Sequence, residues 1–442
     1  MNKVSFRMLG AIQVQIRCNM NFYELDNWIG VFNGEILNVD ELVHKFSLNK
    51  QAYINMEIIL PLFKKIGQSI IQYLDGCYVG VIYNKITQKM FFLRDYVGSR
   101  SLFVVKNQEL IYIVDQLKRV DVENFQMIPK GFSELIDKKI HLVKAHQIDV
   151  ISKNETRETI MEAIKKCIPK NEDIFGVFLS GGLDSSIIAS VVAKQNENVT
   201  YYTLGKTDDL SYVKSIANRL GIDDKIKQVA LPEESEISGL IEKIVYHTES
   251  YNPSIISNGL ATYLLCKAAR DDGINIVLTG EGADELFCGY PVSKDIYVWF
   301  NKRLELIENM HFTESRRLEM ISTSQNIIIR CPFLDKNVYR VSNDCLMADL
   351  IENGRGKQIL RKIFEHDLPE DILEREKMSF DVGSGIRKMV VEYLTQKGEA
   401  EKDVLKKIWH QLFKETLSDH YYFHSYPTFD DAISKRGSAH KK

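Results

Sequence analysis

Residues 175–278 alternate short apolar runs with amphipathic stretches, and this pattern constrains the fold more than any other feature of the sequence. The apolar runs predict strands, and the longer stretches with one apolar face predict helices. Repeated strand–helix units build a parallel sheet, which binds ligands at the carboxyl ends of its strands. The predicted strands are 175–179, 200–204, 227–230 and 274–278, the predicted helices are 185–195, 211–220, 235–246 and 260–271, and the chain after 294 is predicted to be mostly helical.

The chain has 442 residues, a length that favours two domains over a single core. Its first third contains short β-branched and aromatic runs between turn residues, which predict a strand-rich domain. A helix is predicted there at 55–72, and another is predicted to begin near 115. The polar segment 149–156 marks the boundary, so we predict domains at residues 1–148 and 149–442.

Charge and hydropathy exclude several classes of function. With 57 basic and 60 acidic residues, the chain has a net charge of -3 and no broad attraction for nucleic acid or anionic membrane. No run approaches the ~18 apolar residues that cross a bilayer, and the first residues lack the apolar core of a signal peptide. Seven cysteines without a C-x-x-C pair favour reduced thiols over disulfides or a zinc site. We expect a cytoplasmic protein with no nucleic-acid or membrane partner.

The first predicted strand of the alternating region leads directly into a loop with the sequence S-G-G-L-D-S-S, residues 180–186. Its glycines let backbone N–H groups approach a phosphate, and the following helix contributes the positive end of its dipole. Asp184 would repel a phosphate unless Mg²⁺ lies between them. The alternative is an ordinary turn capped by Asp184, and the loop lacks the G-K-[ST] of a Walker A motif. The predicted nucleotide-binding residues are Leu179, Ser180, Gly181, Gly182, Asp184, Ser185 and Ser186, with Leu204 and Gly205 at the end of the next strand.

A second loop, T-G-E-G-A-D-E-L at 279–286, follows the last predicted strand. Three carboxylates beside glycines at a strand end are costly unless a cation or a substrate amine pairs with them. We predict that Asp284 is the second Mg²⁺ ligand, that Glu281 faces the reacting centre and that Gly280 contacts the nucleotide. A solvated acidic turn is the alternative.

These two loops, with I-R-C-P-F-L-D at 329–335 and K-Q-I-L-R at 357–361, resemble the synthetase domain of the asparagine synthetase family, which includes β-lactam synthetases and lasso-peptide cyclases. The first loop resembles the pyrophosphate loop of ATP pyrophosphatases. The resemblance implies a parallel-sheet α/β domain that uses ATP and Mg²⁺ to adenylate a carboxylate, releasing pyrophosphate, before an amine displaces AMP. It also implies a catalytic role for Lys377, in the segment 374–385, whose glycines suggest a mobile loop.

Three segments of the first domain, at 33–38, 74–78 and 94–103, resemble the class II glutaminase domain of the same family, an Ntn-hydrolase-like αββα sandwich. In that family the nucleophile is a cysteine directly after the initiator Met, whereas this chain has Asn2 there, and its nearest cysteine, Cys18, falls in a predicted strand. The other matching positions are Asn33, Glu35 and Asp95. We therefore predict a degenerate domain that hydrolyses no glutamine.

Without a glutaminase, the nitrogen must come from ammonia, from a separate amine, or from an amine within the adenylated substrate. Asparagine synthetases carry a T-T-x-R run where this chain has S-I-I-S at 254–257. Because the missing arginine is a bidentate partner for an amino-acid carboxylate, free aspartate is disfavoured as the acid. The candidate substrate-pocket residues are Tyr251, Ser254, Ser257 and Asp381.

Three functions remain open from the sequence, besides another nucleotidyl route such as tRNA thiolation, for which no catalytic cysteine pair or basic RNA-binding face is visible. We favour an amide ligase or cyclase of specialised biosynthesis that joins a small-molecule or peptide carboxylate to an amine. An ammonia-dependent asparagine synthetase is the first alternative, because Glu281 is the residue that family carries. The alternative from another class is a non-catalytic homologue that binds nucleotide or a partner. A homodimer or a pathway partner stays open for each.

Overall fold

A computed structural model describes residues 2–7, 13–49, 55–107, 110–121, 124–170, 173–205, 209–396 and 398–413 of the chain. The chain divides into two units, of which the first contains the described residues up to 148 together with Phe413, and the second contains the described residues from 149 to 412. Among the described residues, no helix combines the length and the apolar character that a membrane crossing requires.

The first unit is built on two β-sheets. Its elements are β1 (Asn2–Arg7), β2 (Gln13–Cys18), β3 (Asn21–Leu25), β4 (Trp28–Ile36), α1 (Val39–Lys45), α2 (Ile59–Ile66), β5 (Gly76–Asn84), β6 (Met90–Arg94), β7 (Phe103–Lys106), β8 (Leu110–Val114), β9 (Asn124–Met127), β10 (Gly131–Ile136) and β11 (Lys139–Lys144). One sheet has the order β1-β2-β8-β7-β9, with β2 and β8 parallel, and the other has the antiparallel order β11-β10-β6-β5-β4-β3.

The two sheets of the first unit face each other across an apolar core to which strands of both sheets contribute, for example Val14 and Val81. The helices α1 and α2 cover the other face of the six-stranded sheet through a second core that includes Leu60. The helix predicted at 55–72 is interrupted at Gly67, which adopts a positive φ of 58°. The helix predicted near 115 is wrong, because only a single 3₁₀ turn forms at Leu117–Arg119 before the chain extends again.

The second unit contains the predicted parallel sheet. Its strands are β12 (Phe175–Phe178), β13 (Val199–Leu204), β14 (Ile226–Val229), β15 (Ile276–Leu278) and β16 (Ile328–Arg330), in the order β14-β13-β12-β15-β16. The predicted combination of a two-sheet first domain and a parallel-sheet α/β second domain is confirmed. Strand β16 was not predicted, because three residues inside a mostly helical region give no strand period of their own.

The remaining elements of this unit are helices. They are α3 (Thr156–Cys167), α4 (Leu183–Val192), α5 (Asp209–Leu220), α6 (Ile237–Thr248), α7 (Pro253–Asp271), α8 (Ala283–Leu286), α9 (Ile296–Asn309), α10 (Glu314–Ser324), α11 (Lys336–Ser342), α12 (Met347–Leu350), α13 (Gln358–Ile363), α14 (Glu370–Glu374), α15 (Phe380–Gly383), α16 (Ile386–Thr395) and α17 (Glu401–Phe413). Helix α7 begins seven residues before the predicted start at 260, because the Asn252 side chain caps it and Pro253 suits its first turn. Strands β12 and β15 are neighbours, so the loops that follow them meet at one edge of the sheet.

Candidate active site

A cavity of about 650 Å³ lies where the loops after β12 and β15 meet. Both loops line it, together with residues of α7, α10 and the segments 353–361 and 375–382. The two loops touch closely, because a Cβ atom placed on Gly280 would lie 2.8 Å from the Asp184 Cβ atom. The cavity therefore occupies the position at which a parallel sheet binds its ligands.

The loop after β12 has the geometry that a phosphate site requires. Gly181 adopts a φ of 68°, and a side chain there would come within 2.7 Å of the Tyr212 Cβ atom. The Ser185 hydroxyl lies 3.2 Å from the Ser180 hydroxyl and donates to the Gly182 carbonyl, which fixes the turn that enters α4. The first turn of α4 has no side-chain cap at Gly182 and lines the cavity. An anion there would meet backbone N–H groups and the positive end of the helix dipole.

Five predicted nucleotide-binding residues do not line this cavity, namely Leu179, Gly181, Ser186, Leu204 and Gly205. Leu179 is buried and its backbone N–H donates to the Tyr202 carbonyl. Ser186 is fully buried within α4 and follows Ser185, whose hydroxyl faces the loop. Leu204 and Gly205 end β13, but residues 206–208, which follow them, lie outside the described residues. The predicted adenine contact at Leu204 and Gly205 stays a prediction.

Asp184 and Asp284, the predicted metal ligands, share one buried ion-pair network. The ammonium of Lys357 lies 2.6 Å from Asp184 Oδ2 and 2.6 Å from Asp284 Oδ1. The ammonium of Lys377 lies 2.5 Å from Asp284 Oδ2. Burial opposes ionisation of Asp284, but Lys357 and Lys377 outweigh it and lower the pKa of this carboxyl to about 2. For Asp184 burial prevails over Lys357, and the pKa is raised.

The two carboxylates fit a magnesium ion bound together with a triphosphate. Oxygen Oδ1 of Asp184 is buried and accepts no hydrogen bond, so it keeps a lone pair for a cation. Among the described residues no group of three or more His, Cys, Asp or Glu side chains could hold a metal. Mg²⁺ commonly takes one or two carboxylates and completes its shell with phosphate oxygens and water. Asp184 and Asp284 would therefore be its protein ligands, and the ion would neutralise phosphate charge.

Glu281 is held by an arginine that the sequence motifs did not single out. The guanidinium of Arg317, on α10, donates to Glu281 Oε1 at 2.6 Å and lies 2.8 Å from Glu314. It also donates to the Thr262 hydroxyl at 2.6 Å. Burial would lower the pKa of Arg317, but the two carboxylates outweigh it and raise that pKa. Glu281 is thus fixed at the cavity wall, with its carboxylate directed by Arg317.

A neutral carboxyl group is expected behind the second loop. Glu285 is fully buried, and burial together with the charges of Asp284, Glu281 and Glu314 raises its pKa from 4.5 to about 8. The Tyr290 hydroxyl donates to Glu285 Oε1 at 3.1 Å. The Glu285 carboxyl group therefore binds a proton more tightly in the folded chain than in the unfolded chain.

Glu285→Gln is expected to remove a pH dependence of stability. Because the pKa of Glu285 is higher in the folded state, its contribution to stability is complete below pH 4.5 and is lost as the pH rises towards 8. Glutamine cannot titrate, so the variant should lose less stability over this range than the parent chain. Thermal unfolding between pH 5 and pH 8 measures the difference, with Glu234→Gln as an exposed control. Parallel pH profiles for parent and variant would contradict the assignment.

The segment that carries Lys377 is attached to the nucleotide loop. The Arg375 guanidinium donates to the Ser180 carbonyl at 3.1 Å, forms an ion pair with Asp209 and lies over the Tyr212 ring. A Cβ atom on Gly383 would lie 2.1 Å from Asp209 Oδ2. The glycine at 383 therefore has a packing role beside Asp209, in addition to any mobility of the segment.

Asp209→Asn is expected to lower both thermal stability and turnover. Asp209 is 4% exposed, and removing one partner of a buried ion pair costs about 3 kcal/mol. The change also loosens the segment that places Lys377, so the rate of amide formation should fall more than ATP affinity. Glu374→Gln is the control, because its pair with Arg355 is exposed and contributes about 0–1 kcal/mol. Equal effects of the two substitutions would contradict the role of Asp209.

The predicted substrate-pocket residues lie beside the cavity without lining it. Tyr251 packs its ring against Trp409, and Ser257 is fully buried. Asp381 is also buried, and its neighbours in the segment face the cavity instead. Ser254 lies on the same face of α7 as the two residues that do line the cavity, but one turn before them. The residues of α7 that line the cavity are Asn258 and Thr262.

In the first unit, the positions that match a glutaminase are held by β-strands and turns. Asn33 and Glu35 lie on β4, and Asn2 begins β1, where its backbone is paired with Cys18 of β2. Asp95 is buried, and its carboxylate accepts from the backbone N–H groups of Tyr78, Val97, Gly98 and Ser99 and from the Ser99 hydroxyl. Asp95 therefore shapes a turn.

The parallel sheet, the glycine loop at the end of β12 and the facing carboxylates define an ATP-dependent carbon–nitrogen ligase of the adenylating type. Residues 155–323 and 304–425 match the family described as asparagine synthase, and residues 20–121 match a glutamine amidotransferase domain. The chain belongs to the asparagine synthase family.

Curated relatives are identical to this chain at about a quarter of the aligned positions. A probable glutamine-hydrolysing asparagine synthetase of Schizosaccharomyces pombe is 28% identical over 80% of this chain and 72% of the relative. The glutamine-hydrolysing asparagine synthetase B of Escherichia coli is 26% identical over 80% of this chain and 69% of its own. Among solved structures, the NMN synthetase of Francisella tularensis is 15% identical, with a TM-score of 0.30 over 66% of this chain and 95% of that one.

Proposed function

We propose that this chain is an ATP- and Mg²⁺-dependent amide ligase that works without hydrolysing glutamine. The observation that carries the proposal is that, of the two thiols in the first unit, Cys18 is buried and Cys77 is only partly exposed. Cys18 is 1% exposed, and burial raises the pKa of its thiol well above the usual range. Burial, with the charge of Asp95 adding, raises the pKa of Cys77 to about 12. A nucleophilic thiol requires the opposite, a lowered pKa and access to substrate.

The charges near Glu281 support a proposal for the nature of the acid. Arg317, the cation that contacts Glu281, already pairs with Glu281 and Glu314. Ser257, at the position where asparagine synthetases carry an arginine, is fully buried in α7. These observations support an acid other than free aspartate, namely a small-molecule or peptide carboxylate of a specialised biosynthetic pathway. No disulfide joins the seven cysteines, all of which lie among the described residues, and this supports a cytoplasmic location.

A paired assay tests the proposal. The full chain is incubated with ATP, Mg²⁺ and a panel of carboxylic acids, and pyrophosphate release is measured with glutamine, with ammonium and with hydroxylamine as the nitrogen source. We expect hydroxamate formation with hydroxylamine for at least one acid, and no release of glutamate from glutamine. Release of glutamate at a rate matching amide formation would refute glutamine independence.

An ammonia-dependent asparagine synthetase is the second candidate, and one observation favours it. Glu281, the residue that asparagine synthetases carry, is present and lies at the cavity wall. Aspartate is therefore included in the acid panel. Asparagine formed from aspartate and ammonium faster than any other product would replace the first proposal with this one.

A further inference from the structure

Lys357 is built into the centre of the site by its backbone and its neighbours. It is 4% exposed and adopts a left-handed conformation with a φ of 61°, which a residue with a side chain rarely does. Its N–H donates to the Phe287 carbonyl at 3.0 Å. Its Cε atom passes so close to Gly289 that a Cβ atom there would lie 2.5 Å away. The direction of this side chain is therefore determined by the fold.

The ammonium of Lys357 bridges the two carboxylates on which metal binding depends. It lies 2.6 Å from an oxygen of Asp184 and 2.6 Å from an oxygen of Asp284. With Lys377 on the second oxygen of Asp284, two positive charges match two negative ones. The four side chains are at most 25% exposed, so water screens their charges little.

A divalent cation bound to these carboxylates would be repelled by both ammonium groups at short range. The net electrostatic interaction of the divalent cation with the site becomes attractive only when a ligand adds several negative charges beside the lysines, as a triphosphate does. Carboxylates that are already neutralised offer little attraction to a free metal ion. The same carboxylates can still complete the coordination of an ion that arrives with phosphate oxygens.

We propose that Lys357 makes metal binding at Asp184 and Asp284 dependent on the nucleotide, so that the ion enters with a triphosphate and not alone. Lys357 acts as an internal counter-cation that keeps both carboxylates paired and selects against free divalent ions. This inference rests on the proposed magnesium site. It concerns the order of binding and is independent of the acid, the amine and the use of glutamine.

The test uses Mn²⁺ as the probe and the full-length chain. Free Mn²⁺ is quantified by electron paramagnetic resonance during titration, first without nucleotide and then with α,β-methylene-ATP. For the parent chain we expect saturable binding only in the presence of the analogue. Lys357→Met and Lys357→Gln are expected to gain a site for Mn²⁺ alone, with affinity raised at least about tenfold over the parent.

Three further variants separate charge from structure. Lys357→Arg keeps the positive charge and should bind no Mn²⁺ alone. Lys194→Met removes a charge from an exposed ion pair in the same unit and should behave as the parent. Asp184→Asn in the Lys357→Met background should abolish the gained site, which places it at these carboxylates.

The outcomes distinguish this inference from the function proposed above. Mn²⁺ binding to the parent chain without nucleotide, as tight as in Lys357→Met, overturns the role of Lys357 even if the variants fold poorly. Failure of the analogue to bring Mn²⁺ to the parent chain overturns the magnesium site itself. Neither result depends on amide formation, which the glutamine and hydroxylamine assays measure separately.

Discussion

Lys377→Met is expected to lower the rate of amide formation by about a hundred- to a thousandfold while leaving ATP binding largely intact. The Lys377 ammonium is 2.5 Å from Asp284 Oδ2 and 5.3 Å from the Tyr290 ring centroid, so it lies beside the second loop at the wall of the cavity. Burial opposes its charge, but Asp284 and Asp184 raise the pKa of Lys377. A permanent positive charge there can stabilise departing pyrophosphate and the tetrahedral intermediate.

The measurement separates catalysis from binding. Isothermal titration with ATP and Mg²⁺ gives the affinity, and product formation under saturating substrates gives the rate. Lys362→Met, an exposed lysine on α13, is the matched control and should leave both values unchanged. A loss of ATP affinity as large as the loss of rate would assign Lys377 a structural role only.

The loops of the site were predictable because their chemistry is local in sequence. A glycine pair between a strand and a helix, or a carboxylate directly after a strand, can be recognised from the few residues on either side of it. Parallel strands then bring the loops together without further information, which is why Asp184 and Asp284 could be placed at one sheet edge. The structure locates them around a common ammonium, that of Lys357.

The pairing of those residues could not be predicted, since their partners come from distant parts of the chain, even though Lys357 begins the segment K-Q-I-L-R at 357–361. Lys357 is 173 positions from Asp184, and Arg317 is 36 positions from Glu281 on a helix that carries no site motif. Lys357 and Arg317 matter because their ion pairs with the site carboxylates are buried. Which residues become buried together depends on the packing of the whole unit. The predicted substrate-pocket residues on α7, Ser254 and Ser257, do not line the cavity for a related reason. The family resemblance indicated the segment 254–257 as a whole. Which side chains of α7 face the cavity depends on the helical period, and those that line it are Asn258 and Thr262.

Glu281→Gln is expected to stop amide formation while adenylation continues. Glutamine keeps an oxygen acceptor for Arg317, which now donates to Glu281 Oε1 at 2.6 Å, so the wall of the cavity should stay in place. What is lost is a carboxylate able to take the proton from the attacking amine, and loss of a general base costs about a hundred- to ten-thousandfold in rate. Adenylation needs no such base, because a carboxylate attacks the α-phosphate.

The two half-reactions can be measured on one preparation of Glu281→Gln. Exchange of labelled pyrophosphate into ATP reports adenylation, and amide or hydroxamate product reports the second step. Glu376→Gln is the control, since it neutralises another carboxylate that lines the cavity. A parallel fall in exchange and product would assign Glu281 to nucleotide binding, and unchanged product would remove it from the chemistry. Exchange that persists without product would instead place the loss after adenylation, in the step at which the amine binds, attacks the acyl-adenylate and gives up its proton.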